Sequence, residues 1–174
     1  KTVEYINQYF ASIPKPTRVL DEILTVEPAQ DGEKFVEIKR ADDSQSVGIM
    51  YHVASYSDKD YAAIDVLNKI LTSDPSGYLY KALVDSHKVA SIWAYSPEVR
   101  DASFFYIGTE IPKDKNLEQV NNDIRTELDK VSTINFTDQD VQRAKATIVK
   151  GIENNKNNTI NYAVNLTEIV GAGD

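Results

Sequence analysis

The sequence predicts an α+β domain, with a mixed, mostly antiparallel sheet covered on one face by helices. Three observations predict it. Val47, Ile49, Tyr51 and Val53 alternate, which is the period of a strand with one face in a core. Ile64, Leu67, Ile70 and Leu71 then recur at helical spacing, and beyond a break at Asp74 and Pro75, Leu79 and Leu83 sit four apart. The same succession of strands and then helices returns between Val89 and Ile152, so the chain reads ββαα, ββαα.

Each element has its own justification. Val3, Ile6, Phe10 and Ile13 share one face of a short helix that Pro14 and Pro16 end, and residues 17–32, with Pro28, Gly32 and weak periodicity, read as a linker. Over Glu33–Arg40, Val36, Ile38 and Arg40 alternate with Phe35, Glu37 and Lys39, so a strand with one wet face is expected; Asp42 and Asp43 would turn it into the strand at Val47. Ser57 stands three residues before Asp60 in an N-terminal capping arrangement, and Ser76 can cap the second helix, where Tyr80 and Lys81 turn toward another face. Val89–Tyr95 and Ser103–Ile111 are rich in β-branched and aromatic residues and flank a polar loop with Pro97, Arg100 and Asp101, which makes a hairpin. Leu117, Val120, Ile124, Leu128 and Val131 form the clearest helical stripe. Thr137–Asp140 is a capping box for a helix whose apolar face is Val141, Ala144, Ile148 and Ile152. After Gly151 comes a polar run, ENNKNNTINY, and then Ile160, Ala163, Val164, Ile169 and Val170 suit one more helix before Gly171 and Gly173. The main domain is therefore placed at 33–153 and a helical extension at 154–174. Met50, His52 and Ala54 make the less apolar face of their strand, the face expected to lie away from the helices.

Composition narrows the function classes. A chain of 174 residues suits one domain and can bury about two thirds of its unfolded surface, so it needs no covalent staples. With no Cys there are no disulfides or thiolate metal sites. Net charge is −8, from 27 acidic against 19 basic residues, and an acidic domain without a basic stripe lacks the phosphate-contact term of nucleic-acid binding. No apolar run approaches the ~20 residues of a membrane-spanning helix. The first residue is Lys, so the expectation is a piece of a longer chain.

No constellation in these residues carries chemistry by itself. There is no Gly-x-Ser-x-Gly elbow, P-loop or dinucleotide loop. Asp42 with Asp43 and Asp138 with Asp140 are carboxylate pairs placed where a turn and a helix cap want them. Tyr51, Tyr56, Tyr61, Tyr78, Tyr80 and Trp93 read as core or domain-contact residues, a few of them able to line a peptide-binding wall. The Asn-x-Ser/Thr matches at Asn135, Asn157 and Asn165 are treated as chance in an Asn-rich chain.

The wording of the central stretch goes further. YHV, a polar turn, AAIDVLNKIL and SGYLYKALV together resemble the core of the repeated domain of the pitrilysin- and insulinase-type zinc metallopeptidases, the inverzincins, where Tyr-His-x-Pro, Ala-Leu-x-Val-Leu and Ser-x-Arg-Leu-Tyr-x-x-Leu are common. Here Ala54 stands for the usual Pro and Tyr78 for the usual Arg. YINQYFASIPKP followed by EPAQDGEK is similar to the family's closing helix and interdomain linker, which makes residues 1–16 the tail of a preceding zinc domain.

That resemblance implies a processing-peptidase type of fold and invites a search for His-x-x-Glu-His, which sets two imidazoles and a water-activating carboxylate on one helical face. The chain has only His52 and His87, without that spacing, so a hydrogen-bonded structural role for His52 and a helix-end role for His87 are preferred. An Arg and a Tyr that bind substrate in the family's second half would fall at Val84 and Ser91 and are absent. The resemblance therefore implies the non-catalytic second domain of the first half. No catalytic, metal or cofactor-binding residue is expected in this chain, and zinc belongs to the parent protein. The implied partners are neighbouring domains of the same parent and a peptide substrate, with no nucleic acid and no membrane-spanning segment. The implied role is to support the zinc domain and wall the substrate chamber; the alternative is a structural or substrate-gripping scaffold in an inactive family member. The compartment is left open, leaning to a bacterial periplasm over the cytoplasm.

Overall fold

The computed structural model describes residues 1–19 and 28–172, in two compact units, Lys1–Lys39 and Arg40–Asp174. In the first unit, α1 (Thr2–Phe10) forms where the sequence puts it, and Val3, Ile6 and Phe10 on its face are all exposed. Half of the expected linker at 17–32, residues 20–27, lies outside the described residues.

The strand expected over Glu33–Arg40 does not form. Phe35, Val36 and Ile38 stay 72, 78 and 71 % exposed. Alternation alone does not make a strand, because each extended residue needs a neighbour's N–H and C=O; among the described residues β1 pairs only with β3. Five of the eight residues, Glu33, Lys34, Glu37, Lys39 and Arg40, are charged and favour water.

The second unit is built on a three-stranded sheet in the order β1 (Ser44–Val53), β3 (Ser103–Pro112), β2 (Ser91–Tyr95). Both ladders are antiparallel, with Val47 opposite Thr109 and Ile92 opposite the same Thr109. β1 and β2 therefore run in the same direction with β3 between them. The hairpin expected from Val89 to Ile111 is present as β2 and β3.

Odd-numbered residues of β3 face the helices. Phe105, Ile107 and Ile111 are buried with Leu71 of α2 (Tyr61–Thr72), with Leu79 and Leu83 of the helical segment ending in a π-type turn (Tyr80–Val84), and with Val120 and Ile124 of α3 (Leu117–Val131). These positions are the apolar stripes read from the sequence, now converging on one face of the sheet, so the α+β layer is as expected. Thr109 is the polar exception at 1 % exposure, and its hydroxyl donates to the Val47 carbonyl at 3.0 Å, which removes the penalty of burying it. Asn68, also buried, donates to Ala94 O at 3.2 Å and fixes α2 against β2.

α4 (Asp138–Lys156) opens with the expected capping box, in which Thr137 and Asp140 each satisfy the other's backbone N–H. It runs straight through Gly151, and α5 (Thr159–Ala172) follows after a break at Asn157 and Asn158 and continues through Gly171; Gly173 lies outside the described residues. Two capping expectations are corrected. Ser57 hydrogen-bonds Ser55, and the Asp58 carboxylate takes the Asp60 N–H at 2.9 Å, so α2 starts at Tyr61. No side chain, Ser76 included, caps the segment of Leu79 and Leu83, which starts instead from the Gly77 carbonyl accepting Lys81 N–H at 3.0 Å.

Gly77 is there because the chain folds back on α2. A Cβ at that position would lie 2.7 Å from both Leu71 O and Ser73 N, which are backbone atoms with no freedom to yield. Gly77→Ala is expected to lower stability by about 2 kcal/mol in urea denaturation. Gly151→Ala, in an exposed helix with open space around it, is expected to raise stability by about 1 kcal/mol.

Candidate functional site: an uncovered aromatic sheet face

Even-numbered residues of β3 face away from the helices. The register sets them in rungs with β1 and β2: His52 with Phe104; Met50, Tyr106 and Tyr95; Gly48, Gly108 and Trp93; Ser46, Glu110 and Ser91. Met50, Trp93 and Tyr95 keep 58, 44 and 56 % of their surface exposed, and Phe104 and Tyr106 are half-buried. Tyr95 meets Phe104 edge to face, with ring centroids 6.3 Å apart.

The two glycines shape this surface. A Cβ on Gly108 would lie 2.5 Å from Trp93 Cε2 and Cζ2, and one on Gly48 would lie 2.5 Å from the Tyr106 hydroxyl, so each ring rests on the backbone of the neighbouring strand. The result is a low aromatic floor in which Gly48 and Gly108 of the central rung carry no side chain of their own beneath the rings. Such a floor supplies large contact area to an extended chain at small entropic cost, because the rings are held before anything binds.

The expected lack of a metal-ligand set can be set beside the donors present. His52 lies on β1, exposed; His87, exposed with φ 57°, closes the π-type turn, its N–H donating to Val84 O at 2.8 Å. Val84 lies in that turn and Ser91 opens β2. Among the described residues no three His, Asp or Glu side chains gather closely enough to hold a metal ion. A notch between α2 and α4 lined by Lys69, Ser73, Ser76 and Arg143 has room for about 20 Å³, one water and no substrate.

A second cluster is electrostatic. Asp65 on α2 has its pKa raised by burial, with Lys69 partly offsetting it. Glu98, in the β2–β3 connection, is raised by burial and then by the charges of Asp65 and of Glu168 on α5. One Glu98 carboxylate oxygen is enclosed with no hydrogen-bond partner. Tyr61 donates to Ser96 O at 2.9 Å, and its hydroxyl is pushed up to about 12 by burial and then by Asp65 and Glu98. This cluster opposes folding when ionised and offers no substrate a surface.

Sequence reasoning singled out Trp93, Met50 and His52 but missed Tyr95, Phe104, Tyr106, Gly48, Gly108 and Glu110 as parts of one surface. The available signal was the alternation of Trp93 with Tyr95 and of Phe104 with Tyr106, two residues apart within each strand of the hairpin.

A family model described as the peptidase M16 inactive domain matches residues 1–148. Among solved structures, the chain is similar to the inactive peptidase domain of a candidate zinc protease from Bordetella parapertussis, with 22% identity, TM-score 0.69, and 80% of this chain and 76% of that one covered. It is similar to a protease from Helicobacter pylori, with 20% identity, TM-score 0.86, and 99% of this chain covered but only 42% of that one. It is also similar to a chain of complex III2 from Candida albicans, with 18% identity, TM-score 0.66, and 78% and 34% covered. At these identities the likeness is one of fold. Comparison with curated proteins returns no match.

Two predictions follow from this geometry. Gly108→Ala should push the Trp93 indole off the sheet, because the ring can swing where backbone cannot; the emission maximum should move to longer wavelength with less than about 1 kcal/mol lost. Asp65 and Glu98 bind protons more tightly folded than unfolded, so their contribution is fully present below the ordinary carboxylate pKa and is lost as pH rises through their raised folded values. Glu98→Gln should therefore raise the denaturation midpoint at neutral pH and flatten its fall from the acid side; an unaltered pH profile would sink this account.

Proposed function

The chain belongs to the peptidase M16 family, whose inactive-domain model it matches over residues 1–148, and from that premise we propose that it is a non-catalytic wall of a peptidase chamber, beside a zinc-bearing domain of the same parent chain. The observation that carries this reading is the floor of Trp93, Tyr95, Phe104, Tyr106 and Met50 on the sheet face that the helices leave uncovered. An unfolded or small peptide laid along such a floor loses its freedom before it reaches the metal, so binding energy far from the scissile bond becomes orientation at it. On this reading the domain is the second of the first half, zinc is held by the neighbouring domain, the substrate is a peptide, and the compartment is a bacterial periplasm.

A scaffold role in a family member without activity is the second reading. The fold likeness to a chain of complex III2 favours it, since that chain is part of a multi-subunit assembly. Both readings share the wall; they differ in what it faces.

Zinc content and cleavage of a quenched peptide separate them. The 174-residue chain alone should hold no stoichiometric zinc and cleave nothing, whereas a parent chain extended upstream by one domain should carry about one zinc. Absence of zinc from the extended chain would turn the assignment to the scaffold. In a cleaving parent protein, Trp93→Ala with Tyr95→Ala should lower kcat/KM by about three- to tenfold with zinc content unchanged, the size expected of lost aromatic contacts.

A further inference from the structure

The aromatic floor has one charge at its edge, and that charge names the kind of peptide it fits. Resting on the chamber-wall reading, we infer that this face holds an extended peptide through a basic side chain, arginine or lysine, laid along Trp93 with its charged head at Glu110.

The placement comes from the register. Glu110 lies two residues along β3 from Gly108, on the same face, and Trp93 stands diagonal to it across the β2–β3 ladder, a separation that aromatic and long side chains bridge. The Trp93 indole rests on Gly108 and leaves 44 % of its residue's surface open to a visitor. Glu110 is exposed, and among the described residues its carboxylate makes no hydrogen bond or ion pair. Its main chain is engaged, the carbonyl accepting from Ala90 N–H at 2.8 Å, so the strand fixes the backbone from which the carboxylate projects.

The charge balance selects the sign. None of the sheet residues on this face, Ser46, Gly48, Met50, His52, Ser91, Trp93, Tyr95, Phe104, Tyr106, Gly108 and Glu110, is Lys or Arg, and the whole chain carries −8. An acidic peptide would meet like charge with no Lys or Arg on these strands to offset it. A basic one finds an indole, the best of the aromatic faces for a cation, and an open carboxylate within the reach of one side chain. Its methylene stem lies on the rings, while a guanidinium also stacks flat on them.

Trp93 is the single tryptophan, so its indole reports on this face alone. The test titrates the 174-residue chain with a short unstructured Gly/Ser peptide carrying two arginines and with the same peptide carrying citrulline, following the Trp93 indole N–H signal by NMR. The arginine peptide is expected to saturate it with an affinity about three- to tenfold above the citrulline peptide, a gap that closes at high salt and in Glu110→Gln. Equal affinities, or a gap that survives Glu110→Gln, would overturn the inference while leaving an uncharged peptide wall standing. A Trp93 signal that no peptide moves would remove the wall as well. A signal that moves with protein concentration alone would assign the face to a second copy and overturn the inference too.

Discussion

The structure depends on the register of β3. It is the strand both others pair with, and its two faces do opposite work: Phe105, Ile107, Thr109 and Ile111 close the core, while Phe104, Tyr106, Gly108 and Glu110 make the open floor. Because side chains alternate, a slip of one residue would turn the aromatic row into the helices and the aliphatic row into water. The slip is resisted from both sides. The Thr109 hydroxyl finds the Val47 carbonyl only in this register, and the rings of Trp93 and Tyr106 fit only over glycines. Packing on one face and ring placement on the other thus fix the same alignment.

What holds the helices to that strand is a small number of directed polar contacts around an apolar centre. Asn68 and Tyr61 tie α2 to the end of β2 through Ala94 O and Ser96 O. Tyr78 donates to Glu127 of α3 at 2.7 Å, and Lys130 closes on the same carboxylate at 2.8 Å. Those two donors hold the Glu127 pKa down, whereas burial, then Glu127 itself, pushes Tyr78 up to about 12. At neutral pH the phenol is therefore protonated and donates to an ionised carboxylate. Near Glu98 the balance is reversed, with carboxylates from three elements facing one another and Lys69 the cation set against Asp65.

Local signals were legible in the sequence. The α3 stripe, the Thr137–Asp140 capping box and the β2–β3 hairpin are each decided by residues close in the chain, and each stands where the pattern put it. The strand expected at 33–40 was misread because alternation states what a strand would look like and not whether a partner edge exists. Ser57 does not cap α2, since the Asp58 carboxylate, two residues before the Asp60 N–H, closes a tighter turn than a hydroxyl three residues before it. The site was half legible. Met50 and His52 could be put on the less apolar face from alternation alone, but joining them to Trp93, Tyr95, Tyr106 and Glu110 requires a ladder between residues more than fifty positions apart. No local pattern carries that information.

An exposed aromatic sheet face is a standing hazard for a domain in water, since contiguous apolar surface promotes association. This chain keeps one, yet places two glycines in its central rung, where β-branched residues would have made a stronger sheet. Glycine there weakens the strands and flattens the floor, so the shape is obtained at the expense of stability. The same exchange recurs at Glu98, where an enclosed carboxylate oxygen is left without a partner. Neither feature helps the fold of this unit by itself. The first has a use only if something covers that face, and its sheet residues, aromatic with one carboxylate and no Lys or Arg among them, restrict by charge what can do so.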